Sequence, residues 1–317
     1  MFAGALMSAL VAIVSAGDDG YLALIEDWLA SIQALELPAH FSLNILDLGF
    51  SARNRSALAQ RGANLFTPDW RTDFPAQAEL PNWFRAMTTK VFLPRYFPGH
   101  DHYIWIDADA WVQDQQCLLN LARTGDDSIA VVATTFFEGV SARGRQPDGR
   151  LFEVKVNVDL RRKNIEGCYR LCFGEANAQR AYETVINAGV FSLSAKSDIW
   201  DTWVDYLRSG LDRGIHKLVE ERALNLGILE GRIPYRLLPQ RYNWDVGARR
   251  PWVDMQRRCL VDPDAPAYPL GIIHLLDLKQ CHYQTVRSLE GESIDVPLHY
   301  RDFCNWKSNS DEVGQKK

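Results

Sequence analysis

The chain has 317 residues, 47% hydrophobic and 24% charged, with 35 Lys and Arg against 40 Asp and Glu for a formal net charge of -5. This is the balance of an ordinary globular protein, with ample chain for one large domain or two small ones and a sizeable core. The acidic excess argues against nucleic acid as the main partner, while leaving room for a local basic pocket that takes one diphosphate.

The first element is an apolar run at residues 11–15, closed by Gly17-Asp18-Asp19-Gly20. Met1 to Ala16 lacks the positive flank of a secretory leader and is too short to span a bilayer, so the run reads as the first buried strand of an α/β domain. Tyr21 to Ala34 follows with Leu24, Ile25, Trp28, Leu29 and Ile32 on one helical stripe. Leu43 to Leu48 is a second apolar run, Ser51 to Arg61 a second helix ending at Gly62, and Asn64 to Phe66 a short third strand. Residues 67–82 read as a loop, and a helix from Trp83 to Tyr96 leads into the next strand.

That strand carries Tyr103-Ile104-Trp105-Ile106-Asp107-Ala108-Asp109-Ala110-Trp111-Val112. An apolar run ends in two carboxylates one residue apart, where it emerges from the core. Strand alternation points Asp107 and Asp109 the same way unless the chain turns there. Two converging hard oxygen ligands suit Mg²⁺ or Mn²⁺ on a diphosphate. The competing reading is a strand end whose carboxylates cap the next turn.

A helix near 116–124 and a strand at 129–134 complete a β-α alternation that indicates a mostly parallel, Rossmann-like sheet flanked by helices. Ligands of such sheets bind at the carboxyl ends of the strands, where Asp18 and Asp107 both fall. Residues 136–180, with Arg161-Arg162-Lys163, break the alternation and read as an insertion beside the site or as a solvated excursion. Helices are expected near 176–186, 196–209 and 216–229, an irregular last stretch of about 35 residues, and a disordered tail at 308–317.

Three further groups carry candidate chemistry. Asn187-Ala188-Gly189 heads an apolar run, where small residues admit a ligand to the backbone, or else it caps a helix. Glu220-Glu221 opens a helical pattern; the helix dipole accounts for acidic residues there, and so does a carboxylate placed for glycosyl chemistry. His274 ends Ile272-Ile273 as a core histidine or as a third metal ligand, and Lys279 is placed to neutralise a leaving diphosphate. The six cysteines show neither zinc nor disulfide spacing, which points to a reduced, cytoplasmic setting, at most peripheral to the inner membrane face.

Taken in order, the blocks 16–21, 90–94, 103–112, 187–190, 220–225, 238–243 and 272–279 resemble the retaining nucleotide-sugar glycosyltransferases of glycosyltransferase family eight. That family has the GT-A fold and includes glycogenins and lipooligosaccharide galactosyltransferases. The resemblance implies a single GT-A domain over 1–307 that moves a sugar from a nucleoside diphosphate, UDP first, to a glycan, lipid-linked glycan or protein hydroxyl. By position it implies that Ala16, Asp18 and Tyr21 hold the nucleoside. Asp107, Asp109 and His274 would bind Mn²⁺ or Mg²⁺, with Ala108 between them against the donor. Lys90 and Lys279 would reach the donor, Asn187, Ala188 and Gly189 would line its sugar pocket, and Glu220 and Glu221 would take the catalytic positions.

Three departures stand out. The family has Asp-Gln at Glu220-Glu221, a Gly at Asp277, and its lysine one residue later than Lys279. The rival readings are an inverting transferase on the same fold, with a carboxylate as general base, and a non-catalytic nucleotide-sugar-binding module. A haloacid-dehalogenase-type phosphotransferase is disfavoured by Trp111 two residues past Asp109, where Thr or Val is expected.

Overall fold

The computed structural model describes residues 9–74, 80–134, 141–145, 150–183 and 185–314. A seven-stranded sheet forms the centre, in the order Tyr235–Leu237, Ile129–Ala133, Ile186–Ser194, His102–Ile106, Val11–Gly17, Phe41–Asp47, Ala63–Phe66. Neighbours are parallel except where Ile186–Ser194 runs against both of its partners.

All seven residues of Val11–Gly17 are buried because the sheet is covered on both faces. Alternation splits that strand between two cores. Ala12, Val14 and Ala16 face Trp105, Phe191 and Trp203, while Val11 and Ile13 face Trp28, Leu29 and Leu118. Phe191 is edge-on to Trp203 at 5.3 Å and stacked on Trp105 at 6.4 Å. Truncating it to Ala would cost about 3–5 kcal/mol.

The helices Leu22–Gln33 and Ala52–Gln60 fall where the apolar stripe and Ser51 place them, the Ser51 hydroxyl accepting from the Asn54 N–H at 3.4 Å. The expected helix from Trp83 to Tyr96 is three pieces, Asn82–Thr88, a 3₁₀ turn Thr89–Phe92 and Leu93–Tyr96. Pro94 lies in the first turn of the last piece, where its missing N–H costs nothing. The stretch expected as a loop contains a short helix, Trp70–Asp73, capped by Asp69; residues 75–79 of it lie outside the described residues.

Two further sheets were not anticipated. Ile272–His274 pairs with Ala110–Val112 and with Trp244–Asp245. A seven-stranded, mostly antiparallel sheet joins the hairpin Ser141–Arg145/Leu151–Lys155 to strands between Trp252 and Pro297. The stretch expected to be irregular therefore contains the hairpin Tyr283–Ser288/Ser293–Pro297 and a helix over Tyr300–Gly314. Trp111 and Phe303 tie that helix to the second sheet, with ring centroids 5.2 Å apart. Among the described residues no helix is long and apolar enough to cross a membrane.

Candidate functional site

The strand His102–Ile106 stops one residue short of the first carboxylate. The Asp107 N–H makes its rung to the Gly189 carbonyl at 2.8 Å, and the Asp107 carbonyl then accepts from the Ala110 N–H at 3.0 Å, closing a turn. The chain leaves the central sheet here and enters the second one at Ala110. Asp107 and Asp109 thus converge across a turn rather than by strand alternation. The Trp105 indole N–H holds Asp107 Oδ1 at 2.6 Å.

The pairing of His274 with Ala110 brings the imidazole to the same turn. One ligand atom each from Asp107, Asp109 and His274 fall within 4.8 Å of one another. His274 Nε2 lies 3.1 Å from Asp109 Oδ1 and 3.8 Å from Asp107 Oδ2.

The orientation of that imidazole follows from a relay. The Gly189 N–H, which can only donate, bonds Asn187 Oδ1 at 2.7 Å. The Asn243 amide nitrogen donates to the same oxygen at 3.0 Å, so Asn243 Oδ1 faces His274 Nδ1 at 2.8 Å and must accept. Nδ1 therefore carries a proton, and Nε2 is the nitrogen left to bind an ion beside the two carboxylates. Gly189 is required for space: a Cβ there would sit 2.3 Å from His274 Cε1 and 2.9 Å from Asp107 Oδ2. Two carboxylates, one imidazole and this fixed tautomer could hold a divalent metal ion.

The charges respond to one another. Burial opposes ionisation of Asp109, but the His274 and Lys279 charges outweigh it and hold the Asp109 pKa below its ordinary value. Burial likewise opposes the His274 cation, and Asp109 and Asp107 raise its pKa. Lys90 is 4% exposed, with Nζ 3.0 Å from Asp107 Oδ1, 3.1 Å from the Ala188 carbonyl and 3.6 Å from Glu220 Oε2. Desolvation works against its charge, yet the Asp107 and Glu220 carboxylates more than offset that and raise its pKa.

A cleft of about 460 Å³ opens onto this turn. Ala16, Asp18, Tyr21, Lys90, Asp107, Ala108, Asp109 and Lys279 all line it. Asp18 caps the turn after the first strand, accepting from the Gly20 N–H at 3.0 Å. Lys279 Nζ is 3.8 Å from Asp109 Oδ2 and 5.4 Å from the centre of the Tyr21 ring, so it faces the cleft although its spacing departs from the family pattern. A second cleft, of about 410 Å³, shares the walls Lys217, Leu218, Leu276 and Asp277 with the first and is lined by Asn187 and Glu221. Leu276, between the two, holds a φ of +48°.

The two glutamates part company. Glu221 has one oxygen on the Ala188 N–H at 3.0 Å and the other on the Arg222 guanidinium, and it faces the second cleft. Glu220 is 2% exposed, lines neither cleft, and keeps Oε1 buried with no hydrogen-bond partner among the described residues. Burial raises its pKa to about 8, against the pull of Lys90. Asn243 and Arg222 each stand within a block that carried the resemblance, but neither was singled out in sequence. Asn243 meets Asn187 and His274, 56 and 31 residues away, and Arg222 meets the Ile186 carbonyl 36 residues away as well as its neighbour Glu221; tertiary packing makes these contacts, and no local signal marks them.

No protein-family model and no curated protein sequence matches the chain. Solved structures do. The bifunctional glycosyltransferase WbbM is 16% identical over 95% of this chain and 51% of its own, with a TM-score of 0.53. The galactosyltransferase LgtC, in complex with donor and acceptor sugar analogues, is 18% identical over 83% of this chain and 86% of its own, at 0.48. Mouse xyloside xylosyltransferase 1 is 12% identical over 83% and 97%, at 0.47. The likeness to WbbM shows the fold: the α/β arrangement is that of GT-A-type glycosyltransferases, as the ordered blocks led one to expect. The chain spans about half of WbbM.

Proposed function

We propose that this chain is a metal-dependent glycosyltransferase that moves a sugar from a nucleoside diphosphate, UDP first, to a hydroxyl acceptor with retention at the anomeric carbon. One observation carries the reading. The cluster of Asp107, Asp109 and His274, with Nε2 turned to the two carboxylates, meets through Asp107 and Asp109 a cleft that also takes in Asp18 and Tyr21 at the end of the first strand. Asp18 and Tyr21 would hold the nucleoside, and Lys90 and Lys279 would face the diphosphate.

A divalent ion held by Asp107, Asp109 and His274 would supply positive charge to the departing diphosphate. The residues do the rest. Lys90 and Lys279 offset the developing charge, and the Asn187–Asn243 relay keeps His274 from rotating. The second cleft, which meets the first at Leu218 and Leu276, would receive the acceptor. In the reaction the bond from the anomeric carbon to the diphosphate oxygen breaks, and a bond to the acceptor oxygen forms on the same face. The acceptor proton leaves with the diphosphate. Glu221, on the wall of the second cleft, would either stabilise the cationic carbon or bond to it in a covalent step.

The same carboxylate would serve as a general base in an inverting enzyme, and NMR of the product's anomeric carbon separates the two. A panel of nucleotide-sugars, titrated calorimetrically with and without Mn²⁺, tests the reading as a whole. Mn²⁺-dependent binding of a UDP-sugar followed by its turnover is expected. Binding without transfer or hydrolysis would reduce the chain to a recognition module, and no binding of any nucleotide would sink the reading.

A further inference from the structure

Glu221 does not stand alone on the wall of the second cleft. We propose that Arg222 is a positioning residue whose guanidinium holds the Glu221 carboxylate against that cleft. The inference rests on the transferase reading and assigns a role to a side chain that touches neither cleft.

Arg222 is wholly buried, and its partners fix it on several sides. Nη2 donates to the Ile186 carbonyl at 2.8 Å and also to Glu221 Oε1. Nη1 donates to Asn225 Oδ1 at 3.1 Å, and that oxygen accepts from the Ile186 N–H at 3.0 Å. The guanidinium carbon lies 6.0 Å from the centre of the Tyr169 ring. Through Ile186 it is therefore bound to the first residue of the strand that carries Asn187, Ala188 and Gly189. Nε is buried with no hydrogen-bond partner among the described residues, and a planar fork held at Ile186 and Asn225 presents the second Nη2 hydrogen in one direction only.

That direction is Glu221. Among the described residues it is the one carboxylate within ion-pair distance of Arg222, so the buried cation and the partly exposed anion need each other. The other Glu221 oxygen is taken by the Ala188 N–H, so each oxygen has its own donor and the carboxylate plane cannot rotate. The second cleft reaches Glu221 and not Arg222. The donor is thus behind the carboxylate and the reacting space in front of it. The neighbouring Glu220 has the Lys90 ammonium 3.6 Å from Oε2 instead of a guanidinium, and it lines neither cleft.

A competing account makes Arg222 a structural clamp between helix and strand, with Glu221 incidental to it. A double-mutant cycle separates the two. Arg222→Met, Arg222→Lys, Glu221→Gln and the Met/Gln double variant would be assayed for Mn²⁺-dependent turnover of the UDP-sugar that the panel identifies, alongside calorimetric binding of UDP. If Arg222 acts through Glu221, Arg222→Met lowers kcat by at least about tenfold and leaves UDP affinity within about threefold. In the Glu221→Gln background the same change is nearly silent, and Arg222→Lys recovers part of the rate. A loss as large with Gln as with Glu at 221 would overturn the proposal.

Amide hydrogen exchange gives a readout free of activity and usable with Arg222→Lys should Arg222→Met fold poorly. Exchange of the Ala188 N–H should quicken about tenfold as Glu221 loosens, while that of Gly189, held by Asn187, stays as it was. Equal quickening at both would show a loosened strand and reject the proposal. If the parent binds UDP but turns nothing over, the transferase reading fails, and the exchange result still decides whether Arg222 holds Glu221.

Discussion

Two acidic pairs meet near one site and are built in opposite ways. Asp107 and Asp109 sit on a turn at a strand end, open to a cleft, with cations in front of them and a histidine between them. Glu220 and Glu221 sit in the first turn of the helix Val219–Leu229, where one is sealed inside and the other is pinned by Arg222. The first pair shares one environment and can share one ion. The second pair is split, adjacent side chains on a helix pointing about 100° apart, so each glutamate answers to different neighbours. A paired carboxylate in sequence becomes a site only where the backbone turns both members toward the same space.

The largest expected effect tests that shared environment. Asp109→Ala removes a ligand atom and the anion that faces both His274 and Lys279. Mn²⁺-dependent UDP binding should fall by more than about 100-fold, beyond what loss of an outer partner costs, with the fold retained by circular dichroism. Undiminished binding in Mn²⁺ would mean that the turn is only a strand cap.

Next in size is Asn243→Ala. His274 Nδ1 would lose its acceptor at 2.8 Å, and the proton could move to Nε2, which blocks the nitrogen that faces the carboxylates. Metal affinity should drop about 10- to 100-fold, while nucleotide binding without metal is unchanged. Calorimetry with Mn²⁺ alone checks this. An unaltered affinity would show that the relay through Asn187 does not set the tautomer.

The contrast between the pairs also marks how far the sequence could be read. Val11–Gly17 and His102–Ile106 were legible because strands buried on both faces are continuous apolar runs. Asp18, Asp107, Asp109, His274 and Lys279 were legible as candidates from residue type and position, Lys90 only through the resemblance, and the structure brings all six together around one cleft or cluster. The turn at 107–109 was not, since it is set by the Gly189 carbonyl and the Trp105 indole. Nor were the short strands of the third sheet, such as Trp252–Asp254, whose three residues leave no period to count. The division between Glu220 and Glu221 was equally hidden. It depends on Lys90, brought beside Glu220 by tertiary packing, and on Ala188, whose N–H waits for Glu221 at a strand start.

The smallest effect on binding is expected at Glu220, and here pH is the instrument. Burial raises this carboxyl from 4.5 to about 8, the Lys90 ammonium opposing the rise and the Glu221 charge adding to it. At neutral pH Glu220 is therefore mainly the uncharged acid, and Asp107, 3.0 Å away, is the counter-charge of Lys90. Because the folded chain holds this proton more tightly than the unfolded chain, the associated stability is whole below about 4.5 and is lost as pH rises to about 8. Glu220→Gln has the same shape and no proton to lose. Its melting temperature should rise relative to the parent across that window, while Mn²⁺-dependent UDP affinity stays within about twofold, since Lys90 keeps Asp107 and the ligand cluster is untouched. A metal affinity that collapsed with Glu220→Gln would place Glu220 among the groups that hold the donor, and the two acidic pairs would then form one site.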